Sequence, residues 1–402
     1  MSLIDQLRSE VADHIDDVVE LRRAIHRHPE LGIDNPATQR RIVDALEGLG
    51  LDVHVGEGQI SSVVADLHGA SPGPVFLLRA DTDALPMHEE SGEPFSSEVG
   101  GRAHACGHDA HVAMLVGAAR ILAGRRDEVE GTIRFMFQPG EEGSGGAAHM
   151  IDEGVMTLPD GRAVEAAFAI HITPNAPTGV VAARPGPLLA ATDDFEVVVH
   201  GRGSHASSPH MGIDPLPVAC EIVTALQTFV TRRVDAFNPI VLTVAQIHAG
   251  TATNVIAEHA NLNGTIRSVS PESRARAVLG FDRIVRNIAA AHECEVEIDL
   301  QQGYPVTVND GGFLAFVEGV IGDVMGQGSY FELPTPLMGA EDFSYVIDRV
   351  PGAMVFLGAC PPEIENFLDA PSCHSNLMRI DEAAFAHGVA LHVAVALAYS
   401  RR

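Results

Sequence analysis

Apolar and polar positions follow two different periods along the first half of the chain. The N-terminal segment MSLIDQLRSEVADHIDDVVELRR mixes charged and apolar residues at helical spacing, which predicts an amphipathic helix. Residues 62–67 and 75–79 form short apolar runs with the length of strands. Two further runs, GTIRFMFQ (131–138) and AAFAIHI (166–172), are also predicted to be buried strands, and polar residues follow them. Strands that alternate with helices and end in polar residues predict an α/β sheet with a site along one edge.

Two further helices are predicted outside these strands. AHVAMLVGAARILA has helical character, with Asp109 placed as its N-cap and Gly124 as its C-terminal stop. The last helix is predicted to begin at about residue 381, after the apolar segment VPGAMVFLGAC. The chain therefore begins and ends in segments of α/β character.

The segment from 188 to 301 follows a different order. Strand, helix, strand, strand, helix and strand patterns succeed one another, which is the order of a ferredoxin-like α+β domain. Pro and Gly residues flank it, in ARPGPLL before and GYPVTVND after. We therefore predict a larger α/β domain with a mixed sheet, made of residues 1–187 and 302–402 and interrupted by an inserted domain at 188–301.

Composition excludes several classes of function. The net charge is −28, and all 26 basic residues are Arg. Nucleic acids and anionic membrane surfaces bind basic patches, so neither is an expected partner. No apolar stretch reaches the ~18 residues of a membrane span, and the N-terminus lacks the pattern of a secretory signal, so a cytoplasmic protein is expected. Five scattered cysteines are too few for a disulfide framework.

The segment HACGHDAH, residues 104–111, contains the densest cluster of potential metal ligands. In an extended stretch, Cys106 and His108 point to the same side because side chains alternate with period two. A thiolate and an imidazole on one side can approach the same metal region, and borderline-soft divalent metals accept both. This cluster therefore predicts a metal site rather than a structural cysteine beside surface histidines.

Adjacent carboxylates, Glu141 and Glu142, lie in a glycine-rich loop directly after a predicted strand. On irregular backbone the two side chains point in different directions, so one can bind metal while the other serves as a base. Two histidines, His171 and His374, complete a five-ligand set with Cys106, His108 and Glu142. Such a set predicts two divalent metals, about 3.5–4 Å apart. Zn, Mn, Co and Ni all tolerate these ligands, so the identity of the metals stays open.

Eight motifs in the chain occur in the order found in one enzyme family. They are LRRAIHRHPELG, LRADTDALP, HACGHDAH, FQPGEEGSGGA, GRGSHASSPHMGIDP, AGTATNVIAEHANLNGTIRS, MGAEDFSY and CHSN. On these motifs the chain resembles the M20 family of metallopeptidases, and specifically its N-acyl amino acid amidohydrolase branch of hippurate hydrolase and auxin-conjugate hydrolase type. The resemblance implies hydrolysis of the amide bond of N-acyl-L-amino acids.

The resemblance also implies a role for each matched residue. Cys106 corresponds to the ligand that bridges the two metals, and Glu141 to the general base. Asp83 corresponds to a carboxylate that orients a ligand. In the inserted domain, which makes the dimer in the family, His205 or His210 corresponds to a residue that reaches the partner subunit's active site. Asn254 and Arg267 correspond to substrate contacts, although a salt bridge within the sheet is an equal alternative for Arg267.

Three other functions fit parts of this pattern. A dipeptidase or aminopeptidase of the same two-metal type is the main alternative. A metal-binding protein without turnover would lack the base, whereas Glu141 is present. A cysteine nucleophile at Cys106 would need a strand–turn–helix elbow that is not predicted there. Cys373, beside the predicted ligand His374, stands where an apolar residue is common in the family, and we expect it to pack rather than to coordinate or oxidise.

Overall fold

The computed structural model describes residues 3–56 and 60–402, so Met1 and Ser2 of the predicted N-terminal helix lie outside the described residues. The helices are α1 (Leu3–His26), α2 (Pro36–Leu46), α3 (His108–Gly124), α4 (Gly146–Asp152), α5 (Pro215–Arg233), α6 (Pro271–Ala291), α7 (Gly311–Met325), α8 (Ser344–Ile347) and α9 (Ala384–Ser400). The strands are β1 (Asp52–Val55), β2 (Val63–His68), β3 (Ser71–Asp81), β4 (Glu130–Gln138), β5 (Ala166–Thr173), β6 (Val181–Ala183), β7 (Gly186–Leu189), β8 (Ala191–His200), β9 (Ser204–His205), β10 (Ile240–Ala249), β11 (Val255–Ile256), β12 (His259–Ser268), β13 (Glu295–Gln302), β14 (Thr307–Asn309), β15 (Tyr330–Glu332) and β16 (Gly352–Gly358).

The chain divides into two compact units. The first comprises Met1–Leu188, Val308–Thr335 and Tyr345–Arg402, and the second comprises Leu189–Thr307 and Pro336–Ser344. The second unit therefore extends six residues beyond the end expected from the strand and helix pattern. The second unit also includes the short later segment Pro336–Ser344. This segment could not be predicted because it is an irregular loop without a regular pattern of apolar residues.

The first unit contains a mixed sheet of eight strands in the order β1-β2-β4-β3-β5-β16-β6-β15. Strand β3 runs parallel to both β4 and β5, and β16 runs parallel to β5. These central strands are buried on both faces, which explains why they are continuous apolar runs rather than alternating ones. The sheet predicted from those runs is confirmed.

Helices α1, α3 and α9 pack together on this sheet. Residues of α3 are buried on nearly all sides of the helix, and its sequence HDAHVAMLVGAARILAG is correspondingly apolar throughout. Helices α2 and α7, and the short strands β6 and β15, were not predicted. Within residues 3–56 and 60–402, no helix combines the length and the apolar character needed to cross a membrane.

The second unit contains a four-stranded antiparallel sheet in the order β10-β12-β8-β13. Helices α5 and α6 pack on it around a separate core that includes Phe195, Val197 and Val199, the alternate residues of β8. Alternation arises because one face of the sheet is covered and the other is not. The predicted β-α-β-β-α-β order is confirmed, with the short pair β9 and β11 inserted in its loops.

A buried ion pair joins neighbouring strands in the first unit. Arg134 on β4 donates to both carboxylate oxygens of Asp66 on β2, at 2.7 and 2.6 Å, and also to the carbonyl oxygen of Val155 at 2.7 Å. Replacing Asp66 by Ala leaves a buried guanidinium without its counter-charge, and we expect the free energy of unfolding to fall by about 3–5 kcal/mol. Because the chain has no Trp, urea unfolding is best followed by circular dichroism.

The control is the exposed pair between Asp52 and His68, at 3.0 Å. Replacing Asp52 by Ala is expected to cost less than about 1 kcal/mol because water screens an exposed pair. Equal losses in the two variants would show that burial does not set the contribution of the Asp66 pair.

Candidate metal centre

The predicted ligands lie at one edge of the sheet in the first unit. Strands β3, β4 and β5 are parallel, so their carboxyl ends meet at this edge, and α3 begins there. His171 lies near the end of β5, and Glu142 lies in the loop after β4. His374 comes from the loop between β16 and α9. The fold thus brings together ligands that are up to 268 residues apart in sequence, from Cys106 to His374.

Cys106 and His108 lie on the same side, as predicted, but the backbone conformation that places them there differs from the predicted one. The stretch is not extended, since α3 begins at His108 and Gly107 precedes it with φ of 83°. A Cβ at this position would lie 2.4 Å from the side chain of Ile172, so glycine is needed both for the turn and for the close approach to β5. The Cys106 Sγ lies 3.5 Å from Nε2 of His171. Ligand atoms of Cys106, His108 and His171 all lie within 4.8 Å of one another.

A second group of ligands shares Cys106. The carboxylate of Glu142 lies 3.1 Å from Nε2 of His374 and 4.0 Å from Nε2 of His108. Ligand atoms of Cys106, Glu142 and His374 lie within 4.8 Å of one another. His374 has φ of 70°, a backbone conformation that non-glycine residues rarely adopt and that clusters at functional sites. All five predicted ligands therefore belong to two overlapping groups with Cys106 in common.

The environment of His108 fits a metal cation. Its side chain is buried, and neither imidazole nitrogen has a hydrogen-bond partner among the described residues. The carboxylates of Asp81 and Asp83 each lie 3.6 Å from one of those nitrogens. Burial acts to lower the pKa of His108, but the negative charge of Asp81 and Asp83 outweighs it and raises the pKa well above its ordinary value. The same negative surroundings favour a metal ion bound to the neutral imidazole.

Asp83 holds the loop that carries both glutamates. One carboxylate oxygen accepts the backbone N–H of Glu141 at 2.9 Å, and the other accepts that of Glu142 at 3.0 Å. With one oxygen also 3.6 Å from Nδ1 of His108, this carboxylate contacts three predicted site residues, two in this loop and one at the start of α3. Its buried position between loop and helix explains why an acidic residue occurs at the end of ADTD.

His111, the last histidine of HACGHDAH, is not available as a ligand. Its Nδ1 lies 2.6 Å from Asp81, and its Nε2 accepts the backbone N–H of Ile172 at 2.8 Å. Burial lowers the pKa of His111 even though Asp81 acts in the opposite direction. Burial acts to raise the pKa of Asp81, but the charge of Arg79 and of the two histidines holds it well below its usual range. The hydrogen bond between His111 and the backbone of Ile172 therefore connects α3 to β5.

Asp109 was wrongly predicted as an N-cap. The helix begins one residue earlier, so Asp109 lies in its first turn and faces the protein interior. Its carboxylate lies 2.7 Å from both Nδ1 of His26 and Nε of Arg22. On the other side of the imidazole, Glu89 lies 3.1 Å from Nε2 of His26. Sequence reasoning missed this network, because His26 and Asp109 are 83 residues apart and meet only when α1 packs on α3.

Glu89 makes this network sensitive to acid. Burial acts to raise the pKa of Glu89, but hydrogen bonds from His26 and Ser91 and from the backbone N–H of Ser97 lower it to about 2. A carboxyl group with a lowered folded-state pKa stabilises the fold above its unfolded pKa, and this contribution decreases as pH falls from about 4.5 towards 2. We expect Glu89→Gln to lower the free energy of unfolding by about 1–2 kcal/mol at pH 6.

The measurement is urea unfolding of metal-free wild type and Glu89→Gln between pH 3 and pH 6. The difference between the two proteins should shrink as pH decreases, because the wild type loses the contribution that the variant lacks. A difference that stays constant across this range would show that Glu89 contributes by packing and not by its charge.

Two of the four residues predicted in the inserted domain line one cavity, and the other two lie elsewhere in the second unit. His205 on β9 and Asn254 before β11 line one cavity of about 700 Å³ in the second unit. His210 is exposed in a short 3-10 helix and is not among the residues that line the cavity. Arg267, near the end of β12, donates to the hydroxyl groups of Thr192 and Thr265. The guanidinium of Arg267 thus has its hydrogen-bond partners within its own sheet, and the carboxylate of Asp194 lies 4.0 Å away.

Comparisons of sequence identify the family. Residues 77–398 match the sequence profile described as Peptidase family M20/M25/M40. The chain belongs to this family, as its eight motifs predicted. It is 37% identical over 410 residues to Thermostable carboxypeptidase 2 of Saccharolobus solfataricus, with 100% of both chains covered. The family assignment therefore rests on a match along the whole chain.

Two further relatives carry names of the predicted branch, which is thereby confirmed. The chain is 35% identical to IAA-amino acid hydrolase ILR1-like 4 of Arabidopsis thaliana, covering 96% of this chain and 86% of that protein. It is 36% identical to N-acetylcysteine deacetylase of Bacillus subtilis, covering 85% of this chain and 88% of that protein.

Solved structures agree with the fold. A putative aminohydrolase from methicillin resistant Staphylococcus aureus matches with a TM-score of 0.90 and 29% identity, covering 99% of this chain and 100% of that one. The YXEP protein of Bacillus subtilis, described as a dinuclear metal binding peptidase from M20 family, matches with a TM-score of 0.82 and 30% identity, covering 97% and 99%.

Proposed function

We propose that this protein hydrolyses the amide bond of N-acyl-L-amino acids and releases a carboxylic acid and a free amino acid. The observation that carries the proposal is the pair of overlapping ligand groups that share Cys106, with the carboxylate of Glu141 grouped with His108 and Glu142. Relatives named as an IAA-amino acid hydrolase and an N-acetylcysteine deacetylase support this substrate class.

Five residues are proposed to hold two divalent ions. Cys106 is the shared ligand, because it occurs in both groups of ligand atoms. When bound, two such ions supply Lewis-acid polarisation of a carbonyl and activation of a water molecule near neutral pH. The metals are Zn, Mn, Co or Ni, since each accepts a thiolate together with imidazole and carboxylate ligands. The other proposed ligands are His108, Glu142, His171 and His374.

Glu141 is proposed as the general base and then the general acid. The residue is 7% exposed, and its backbone N–H is bound by Asp83, so the loop that carries the carboxylate is held at the edge of the sheet. It takes a proton from the attacking water as the water adds to the amide carbonyl. It then donates that proton to the departing nitrogen, so that the amine leaves neutral.

The inserted domain is proposed to contribute from a second copy of the chain. In a homodimer paired through this domain, His205 steadies the oxyanion that develops on the amide carbonyl, with His210 as the alternative. Asn254, which lines the same cavity as His205, is proposed to contact substrate. Arg267 is proposed to bind the free carboxylate of the amino acid by exchanging its threonine partners for it.

We also propose that the protein acts in the cytoplasm on small molecules. The net charge of −28 disfavours nucleic acid and anionic membranes as partners, and all the proposed substrate contacts suit a small polar amide.

The test is a panel of N-acetyl and N-benzoyl amino acids incubated with metal-loaded protein and with a chelated sample. Turnover that a chelator abolishes, and that added metal restores, is expected. The ratio of rates on the two acyl groups measures the size of the acyl pocket. Turnover that survives complete metal removal would refute the two-metal proposal and direct attention to Cys106 as a nucleophile.

A second candidate function is carboxypeptidase or dipeptidase activity. The full-length similarity to a Saccharolobus solfataricus protein named as a carboxypeptidase favours it. Dipeptides and N-blocked dipeptides therefore belong in the same panel. Faster cleavage of free dipeptides than of any acyl amino acid would move the protein to this alternative, because an acyl amino acid has no free α-amine to recognise.

A further inference from the structure

Cys373 lies beside the proposed shared ligand and has no part in the proposed reaction. The thiol of Cys373 is close enough to that of Cys106 for each to change the pKa of the other. Both sulfurs lie at the end of β5. The Sγ of Cys106 is 3.5 Å from Nε2 of His171, and the Sγ of Cys373 is 3.9 Å from the carbonyl oxygen of Ile172. The two thiols are therefore neighbours at the edge of the sheet where the proposed metal ligands lie.

The backbone holds these two cysteines in place. The N–H of His374 donates to the carbonyl oxygen of Ala105 at 2.7 Å, so a hydrogen bond joins the residue before Cys106 to the residue after Cys373. A disulfide forms without rearrangement of the fold only between cysteines whose backbone segments already lie side by side. The rest of the Cys373 side chain packs against the core of the first unit, which keeps its sulfur near Cys106.

Access to solvent differs between the two thiols. Cys106 is buried and Cys373 is partly exposed, while all five cysteines are free thiols. An oxidant arriving from solvent therefore meets Cys373 first. The buried Cys106 is then placed to attack the oxidised sulfur, which is the arrangement of a peroxide-reactive thiol beside a resolving one.

We propose that Cys106 and Cys373 form a reversible disulfide in the metal-free protein, and that this bond switches off metal binding by removing the shared ligand. The proposal rests on the assignment of Cys106 as a metal ligand under the proposed function. A bound metal keeps Cys106 engaged, so metal loading and disulfide formation exclude one another.

The chemistry balances with a hydroperoxide as the oxidant. The thiolate of Cys373 attacks the terminal peroxide oxygen, the O–O bond breaks, and Cys373 becomes a sulfenic acid while the peroxide is reduced to water or an alcohol. The thiolate of Cys106 then attacks the sulfenic sulfur, forming the S–S bond and releasing hydroxide, which takes up a proton to become water. A dithiol reductant returns both residues to thiols.

The experiment treats chelated and Zn-loaded protein with hydrogen peroxide, blocks the remaining thiols by alkylation, and maps non-reduced peptides by mass spectrometry. In the chelated protein we expect loss of two of the five thiols and a peptide pair joined through Cys106 and Cys373, both reversed by dithiothreitol. The Zn-loaded protein should form this link at least about 10-fold more slowly, because a coordinated thiolate is not free to attack. Oxidised protein should bind Co²⁺ far more weakly than reduced protein, measured by the thiolate-to-cobalt absorption band.

Cys373→Ser is the test variant and Cys360→Ser its matched control, since Cys360 is also a free thiol of the first unit. The control should form the link as the wild type does. Cys373→Ser should retain Co²⁺ binding when reduced and should lose it to peroxide without recovery by dithiothreitol, because Cys106 without its partner proceeds to irreversible acids.

Peptides of Cys106 and Cys373 that stay separately alkylated after peroxide treatment would overturn the proposal, and so would equal rates in the chelated and Zn-loaded proteins. Circular dichroism shows that each variant is folded. None of these measurements involves turnover. A protein that forms the disulfide but hydrolyses no acyl amino acid would therefore refute the proposed function and leave the disulfide proposal standing.

Discussion

Replacing Glu141 by Gln is expected to lower kcat by about 10²–10⁴-fold on any acyl amino acid that the wild type hydrolyses. Glutamine keeps the shape and the backbone N–H that Asp83 accepts at 2.9 Å. It cannot take up a proton at neutral pH. The variant therefore loses the step that moves a proton from water to the leaving nitrogen, while the loop that carries it remains in place.

Metal content separates this effect from damage to the site. The proposed ligands do not include Glu141, so Glu141→Gln should bind two equivalents of metal like the wild type, and its KM should change much less than its kcat. The matched control is Glu130→Gln, at the exposed opposite end of β4, which should keep full activity. Loss of metal from the Glu141 variant would instead make this carboxylate a ligand, and full activity would exclude it as the base.

Replacing Cys106 by Ser is expected to have the second large effect, on metal binding itself. Cys106 belongs to both groups of ligand atoms, so its loss weakens both metal positions together. The neighbouring Cys373 thiol, and then burial, raise the pKa of the Cys106 thiol well above its ordinary value in the absence of metal, whereas a bound divalent ion deprotonates a coordinating thiol outright. Serine cannot be deprotonated as readily. We expect metal affinity and kcat/KM to fall by more than about 100-fold, beyond what loss of an outer hydrogen bond costs.

Titration with Co²⁺ tests this prediction directly. The wild type should show a thiolate-to-metal absorption band that Cys106→Ser lacks, and the stoichiometry of tight binding should fall in the variant. Reduced Cys373→Ser serves as the control and should keep the band, because Cys373 is not a proposed ligand. A band that persists in Cys106→Ser but disappears in Cys373→Ser would exchange the roles of the two cysteines.

The elements of both units could be predicted wherever burial imposes a regular period. The central strands β3, β4 and β5 are buried on both faces, and their continuous apolar runs marked them with boundary errors of a few residues. In strand β8 and helices α5 and α6, buried and exposed residues alternate with the period of the element. The order of strands and helices in the inserted domain could therefore be predicted equally well. Short strands such as β6 and β15 were missed, because three residues are too few to show a period.

The detailed geometry at the site did not follow from local pattern. An extended HACGH segment was a reasonable assumption, but the start of α3 is set by Gly107, whose close approach to Ile172 depends on where β5 lies. The same packing turned Asp109 away from a capping role and towards His26 of α1. Local propensity is a weak guide where a buried charge finds its partner only in the folded structure.

The sequence by itself determined the identity of the candidate ligands, the alternation of strands and helices, and the family. Each of these depends on residues that are close together in the sequence, so no knowledge of the folded structure is needed to recognise them. Only the tertiary structure decided which of these residues meet. Cys106 is shared by two ligand groups, both nitrogens of His111 are occupied by Asp81 and Ile172, and the segment that carries Cys373 is hydrogen-bonded to the segment that carries Cys106. The physical reason is that contacts between distant segments depend on how strands and helices pack, and no local period of the sequence encodes those distances.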